Sequence, residues 1–205
     1  MFKRKIFNVL ICFIIAIAII LIIIGLIKII NVNKDLNSGI REAEEVFSSS
    51  SASNDENVNL ETKIENEQKL DISKAIGIIT FKLQKEYKTA IYENITEDIL
   101  RKGAGRAAGT GKLNEKGNCV LYGHRDSAFR ALWDIKVDDL VEVKTKTSTK
   151  QYKVYNIYIT DKNDKNICNQ NLDEKYCKLT LVTCYPFVYS GPANQRCVVE
   201  LRELE

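Results

Sequence analysis

The chain has 205 residues, 45% hydrophobic and 28% charged, which is room for one ordinary domain with an appendage and excludes wholesale disorder. Thirty Lys and Arg against 27 Asp and Glu leave a net charge of +3, too small a bias to suggest a nucleic-acid partner. The two Pro exclude a proline-rich chain, the single His excludes a multi-histidine metal site, and the six Cys are too sparse for a disulfide scaffold.

No charge interrupts the 19 residues from Val9 to Ile27. As a helix this run would span about 28 Å, which matches a bilayer core. Lys3, Arg4 and Lys5 precede it with no acid among them, so the positive-inside rule puts the N-terminus in the cytoplasm and the bulk of the chain outside. The rival is a cleaved signal peptide. The run exceeds an ordinary h-region, and the Asn31–Asn37 stretch offers no small-residue cleavage site. We read residues 1–8 as a cytoplasmic N-terminus and 9–30 as a retained transmembrane anchor. Residues 31–74 are dominated by Ser, Asn, Glu, Asp and Lys. Part of Gly39–Phe47 can be helical, since Ile40, Ala43 and Phe47 share a face. The rest cannot bury enough surface to offset its ordering entropy. It reads as a flexible extracellular linker, with a root-mean-square span of roughly 35 Å.

Residues 75–205 read mostly as strands. Ile76–Phe81, Thr89–Tyr92, Asn118–Tyr122, Leu140–Lys144, Tyr152–Thr160, Lys178–Thr183 and Arg196–Arg202 are rich in β-branched and aromatic residues. Gly103–Gly111 reads as loop, and short helices are expected at Thr96–Arg101, with Thr96 as a cap, and at Ser127–Ile135. So many strands in one domain imply a β-barrel or a sandwich.

Three short blocks could carry chemistry. In Thr180-Leu181-Val182-Thr183-Cys184-Tyr185-Pro186-Phe187 an apolar strand ends in a thiol just before a Pro that stops the ladder. A strand end holds a side chain on rigid backbone yet can face a cleft, which suits a nucleophile; an isolated Cys is otherwise a small buried hydrophobe. In Cys119-Val120-Leu121-Tyr122-Gly123-His124-Arg125-Asp126 another strand runs out at the only His, beside a Gly that permits a turn or a close approach. In Asn194-Gln195-Arg196-Cys197-Val198-Val199 an Arg opens the last strand, which can return antiparallel to the Cys184 strand. A guanidinium there can stabilise an oxyanion but cannot act as a base.

Together these blocks resemble the sortase family. Thr180-Leu181-Val182-Thr183-Cys184 matches its TLxTC signature, Tyr122-Gly123-His124-Arg125-Asp126 its histidine block, and Asn194-Gln195-Arg196 the stretch that carries its Arg. The resemblance covers roughly Ile76 to Leu201 and is greatest to class D sortases. The family's early Ile-Pro-x-Leu segment stands here as Ile79-Thr80-Phe81-Lys82-Leu83, without Pro. A second hydrophobic anchor after Arg202 and an Asp-Pro lid, both features of the pilus-polymerising class, are also missing from the sequence.

The resemblance implies a mainly β fold, a closed sortase-type barrel with short helices. It implies a cysteine transpeptidase that cleaves an LPxTG-like sorting signal between Thr and Gly and passes the surface protein to a cell-wall amine acceptor, such as a lipid-linked peptidoglycan precursor. Cys184, His124 and Arg196 are then the catalytic residues. Thr183, Tyr185 and Phe187 are expected against the substrate, with Trp133 and Tyr189 as further candidates for its groove. No cofactor is expected. Asp138, Asp139 and Glu142 could suggest calcium but read as a solvated acidic turn. Cys119 and Cys197 read as packed in strands, Cys12 as within the anchor, and Cys168 and Cys177 as thiols that could pair. The rival readings are an extracytoplasmic peptidoglycan cysteine transpeptidase, whose Ser-His-Gly-Cys block is absent, and an inactive sortase-like binding module.

Overall fold

In the computed structural model the described residues are 2–49, 74–168, 175–189 and 191–204. The chain divides into two units, residues 1–35 and Leu36–Glu205. The first is the apolar part of a single helix, α1 (Phe2–Ser49). An 18-residue window of its described side chains has a mean hydropathy of 3.3 and none of it is buried, so the helix is long and apolar enough to cross a bilayer.

The helix does not stop where the anchor was expected to end. It continues to Ser49, through the first part of the expected linker, and residues 50–73 lie outside the described residues. The reason is a local apolar face: Gly39, Ala43 and Phe47 are buried and Ile40 half-buried. Ala43 and Phe47 join Ala75, Ile78, Ala90, Tyr92 and Ile99 in one cluster on the outside of the barrel. Gly39 makes the approach possible. A Cβ there would lie 2.5 Å from the Lys102 carbonyl oxygen and 2.9 Å from the Tyr92 hydroxyl.

The rest is a closed barrel of eight strands. Strands β1 (Gly77–Lys82) and β2 (Glu86–Glu93) form a hairpin, and α2 (Glu97–Lys102) leads into β3 (Ala104–Arg106) and β4 (Gly117–Tyr122). A 3₁₀ turn (Arg130–Trp133) precedes β5 (Leu140–Lys144) and the long β6 (Thr149–Asp161). A second 3₁₀ turn (Lys165–Cys168) precedes β7 (Cys177–Tyr185) and β8 (Gln195–Glu203). Around the barrel the order is β1-β2-β3-β4-β7-β8-β6-β5, and β5 closes it by pairing with β1. The seven expected strands are all present within a few residues. The Gly103–Gly111 stretch hides the eighth, β3. Thr96 sits at the N-cap of α2 in extended conformation but makes no side-chain cap bond, and only four residues of the expected Ser127–Ile135 helix are helical.

Because side chains alternate across a strand, one set fills the barrel. Ile79, Phe81, Ile91, Leu121, Phe129, Val141, Val143, Leu179, Leu181, Val199 and Leu201 belong to this interior cluster. A separate cluster of Ala107, Val120, Ile167, Val182 and Val198 covers the outer face of β4, β7 and β8, with Tyr122 and Tyr158 at its edge. Strand β7 is thus apolar on both faces, as a central strand must be.

Gly39→Val should destabilise the protein by about 1–3 kcal/mol, because an overpacked contact against backbone cannot relax cheaply. Chemical unfolding of the full chain in detergent micelles checks this.

Candidate functional site

Strand β7 lies between β4 and β8, and the three blocks singled out in the sequence meet at one end of these strands. On one side β4 and β7 run parallel, with Leu121 beside Leu181 and Tyr122 beside Val182. Beyond the ladder the Gly123 amide donates to the Val182 carbonyl at 3.2 Å, and Thr183 Oγ1 donates to the Gly123 carbonyl at 2.7 Å. His124 and Cys184 are the next residues on either side of that pair of bonds. On the other flank β8 runs antiparallel, and Cys184 is the direct partner of Arg196.

The strand period also sets which way these groups face. Cys184 lies two residues beyond Val182, and Arg196 two residues before Val198; both valines belong to the outer cluster. Sulfur and guanidinium therefore share the outer face, where Val120, Val182 and Val198 make an apolar floor. His124 follows two residues after Tyr122, at the rim of that floor. All three catalytic candidates are half-buried, accessible yet partly shielded from water.

Local chemistry explains why the chain can turn at His124. A Cβ on Gly123 would sit 2.8 Å from the Phe129 ring, so only Gly lets the buried ring pass beneath. The His124 carbonyl then accepts the Phe129 amide at 2.9 Å, which closes the turn into the 3₁₀ segment. The imidazole Nε2 lies 3.6 Å from Glu97 Oε1, at the start of α2. Glu97 was invisible in the sequence reading because its meeting with His124 depends on how β2, α2 and β3 wrap around the barrel. It is the carboxylate within ion-pair distance of His124 among the described residues.

Arg196 Nη1 donates to the Ala193 and Gln195 carbonyls at 3.0 and 2.9 Å. A guanidinium carries five N–H donors, and the bonds to Ala193 and Gln195 use Nη1 alone. Its charge is felt at Tyr122, whose hydroxyl lies 3.4 Å from Cys168 Sγ. Burial and the contact with Cys168 push the Tyr122 hydroxyl up, and Arg196 pulls it part of the way down.

Among the residues expected against the substrate, Thr183 is set apart by its burial. It is 2% exposed, and its hydroxyl is committed to Gly123. The side chain lies beneath the cleft and ties its two walls together. Tyr185 and Phe187 are half-buried, meet edge to face at 5.4 Å, and Phe187 stacks on Trp133 at 5.6 Å. These rings form an aromatic wall beside the end of β7, with Tyr189 51% exposed further along the same loop.

The other described thiols are free. Cys119 and Cys197 are buried in the barrel interior, and burial pushes their thiols up to about 12 and about 11. Cys177 is also buried, within 3.3 Å of Lys150 Nζ at the start of β7. Cys168 is exposed beside Tyr122, which pairs near the far end of that strand, so the two do not pair here. The acidic turn is engaged piecemeal. Asp138 pairs with Lys153, Glu142 pairs with Lys82, and Asp139 accepts the Lys136 amide. No cluster of three metal-ligating side chains occurs among the described residues.

Comparison with known proteins identifies the family. The family model for the sortase domain matches residues 82–203. Sortase D of Bacillus subtilis (strain 168) is 29% identical over 189 residues, 91% of this chain and 93% of that protein. The fold superposes on a Clostridium perfringens Sortase D5 transpeptidase with a TM-score of 0.63 at 24% identity, covering 84% of this chain and 99% of that one. It also superposes on the catalytic domain of B. anthracis SrtD with a TM-score of 0.52 at 30% identity, covering 64% and 88%.

The thiolate is the form that reacts with alkylating agents. At pH 8, roughly one part in a thousand or less of Cys197 and Cys119 is ionised. Brief alkylation should therefore label Cys184 and Cys168 among the described thiols and spare Cys119, Cys177 and Cys197. In Cys168→Ser, Cys184 should be the one described thiol that reacts. Peptide mapping by mass spectrometry reads the outcome.

Proposed function

The chain belongs to the sortase family, and on that premise we propose that it cleaves an LPxTG-like sorting signal between Thr and Gly and transfers the surface protein to a cell-wall amine. The enzyme is a cysteine transpeptidase of the sortase type, and its N-terminal helix suits a membrane anchor. In our reading residues 1–8 face the cytoplasm, 9–30 span the membrane, and the catalytic domain lies outside the cell. The arrangement of Lys3, Arg4 and Lys5 ahead of the apolar run supports that orientation.

The observation that carries the catalytic reading is the register around β7, with Arg196 opposite Cys184 and Gly123 bonded to Thr183 and Val182. Cys184 gives its thiol proton to His124, Sγ attacks the Thr carbonyl carbon, and an S–C bond forms. The tetrahedral oxyanion is met by Arg196, whose fixed charge is worth most in a partly dry cleft. His124 gives a proton to the departing Gly amine, the C–N bond breaks, and a thioacyl enzyme remains. The amine of a lipid-linked peptidoglycan precursor, or another acceptor, then loses a proton to His124 and attacks the thioester. A new amide forms as the S–C bond breaks, and the departing sulfur regains its proton from His124 as a thiol. Tyr185 and Phe187, with Trp133 and Tyr189, give the extended signal peptide an apolar wall. No step calls for a metal, and the carboxylates of Asp138, Asp139 and Glu142 are each held by a separate partner.

In full-length enzyme in detergent micelles, Cys184→Ala and His124→Ala should abolish cleavage of an LPxTG-type peptide. Arg196→Ala should lower kcat/KM by about 10²–10³, the usual cost of one oxyanion donor. Persistent cleavage by Cys184→Ala would overturn the assignment. Chelation of calcium should leave the rate within about twofold, and a requirement for added calcium would contradict the metal-free reading.

A further inference from the structure

Arg125 follows His124 directly, and its side chain reaches across to the loop that leaves β7. Its Nη1 donates to the Pro186 carbonyl at 2.8 Å. Its Nη2 donates to the Tyr189 carbonyl and, at 3.4 Å, to the Gly191 carbonyl. The guanidinium carbon also lies 5.7 Å from the centre of the Tyr189 ring. The backbone of the same residue is held from the opposite side, since the Arg125 carbonyl accepts Trp133 Nε1–H at 2.6 Å. The Trp133 ring in turn stacks on Phe187 of that same loop, with 23° between the planes. The contacts close a circuit that runs from Arg125 to Pro186 and Tyr189, through Phe187 to Trp133, and back to Arg125. His124 is covalently attached to this circuit, and Cys184 lies two residues before Pro186.

From this geometry we propose that Arg125 is a positioning residue, which braces the His124 backbone against the β7–β8 loop and so fixes the imidazole relative to Cys184. The brace rests on the reading of His124 and Cys184 given above. It adds a device to that reading: the loop wall and the histidine move as one body. A planar fork of donors suits the task, because it meets two carbonyls at once; a lysine ammonium offers a single point of attachment. Proton transfer needs the imidazole within hydrogen-bond reach of the leaving nitrogen, and a displacement of about 1 Å can cost on the order of a hundredfold in rate.

The test uses full-length enzyme in detergent micelles with Arg125→Ala, Arg125→Lys and Trp133→Phe. The last keeps an aromatic ring on Phe187 but removes the indole donor. The chain has one His, so ¹³C-labelled histidine gives one imidazole signal and reports the position of His124 without substrate. We expect Arg125→Ala to lower kcat for peptide cleavage by about 10- to 100-fold, with KM changed less than about threefold, and to shift or broaden the imidazole signal. Arg125→Lys should recover only part of that loss, and Trp133→Phe should move kcat and the signal in the same direction by a smaller amount.

An imidazole signal unchanged in Arg125→Ala, or a kcat within about twofold of wild type, overturns the brace. So does a loss of kcat that simply follows a loss of folded protein. If Arg125→Ala fails to fold, Arg125→Lys and Trp133→Phe decide by the same two readouts. The catalytic reading fails separately, when wild type does not cleave the peptide or Cys184→Ala does. The imidazole signal still decides the brace in either case.

Discussion

The hydrogen bond from Thr183 Oγ1 to the Gly123 carbonyl holds the site together. It joins β4 and β7 one residue short of His124 and of Cys184, where the parallel ladder runs out. A parallel pair has slanted bonds and no turn to fix its end, so the ends of β4 and β7 would splay without a lateral tie. A buried hydroxyl bonded to a carbonyl stabilises by only about 1 kcal/mol net, but leaving that carbonyl unpaired costs about 1–3 kcal/mol. The relative placement of His124 and Cys184, the two following residues, depends on the strands keeping their spacing. The Thr of the TLxTC block is 2% exposed and its hydroxyl is bonded to the Gly123 carbonyl, so it ties the strands beneath the more accessible thiol of Cys184.

The barrel interior explains why the site is on the outside. Phe81, Phe129, Leu121, Leu179, Leu181 and Leu201 fill the interior and leave no room for a peptide. The face away from that core offers what an extended peptide needs: a floor of Val120, Val182 and Val198, a guanidinium at one edge and an imidazole at the other. Placing sulfur and guanidinium on β7 and β8, and the imidazole two residues beyond the end of β4, ties their spacing to sheet geometry. The apolar cluster under α1, by contrast, ties Ala43 and Phe47 to β1, β2 and α2, far along the sheet order from β7.

Much of this was legible in the sequence. The strands of β-branched residues announced themselves, and three motif blocks named the residues that the fold then brought together. Three features were not legible, each for a physical reason. Strand β3 is three residues long, and a Cβ on its Gly105 would lie 2.1 Å from the Asn94 carbonyl oxygen. A strand that needs Gly for backbone approach looks like a loop. The burial of Thr183 and its bond to Gly123 could not be read from the motif, which gives its neighbours and not its orientation; the pleat turns it beneath the cleft. The partners of His124 and Arg125, namely Glu97, Pro186 and Tyr189, are brought near by barrel closure over sequence separations that no local pattern records. The helix running to Ser49 was only half visible, since its apolar face has few residues and gains stability by packing on β1 and β2.

The account stands or falls on which atom carries the acyl group between the two half-reactions. The direct measurement is mass spectrometry of the full-length enzyme incubated with an LPxTG-type peptide and no amine acceptor, followed by peptide mapping. The account predicts an adduct ending in the Thr acyl group on Cys184, discharged when an amine is added. An acyl group on Cys168, or cleavage through a species attached to no cysteine, would contradict it.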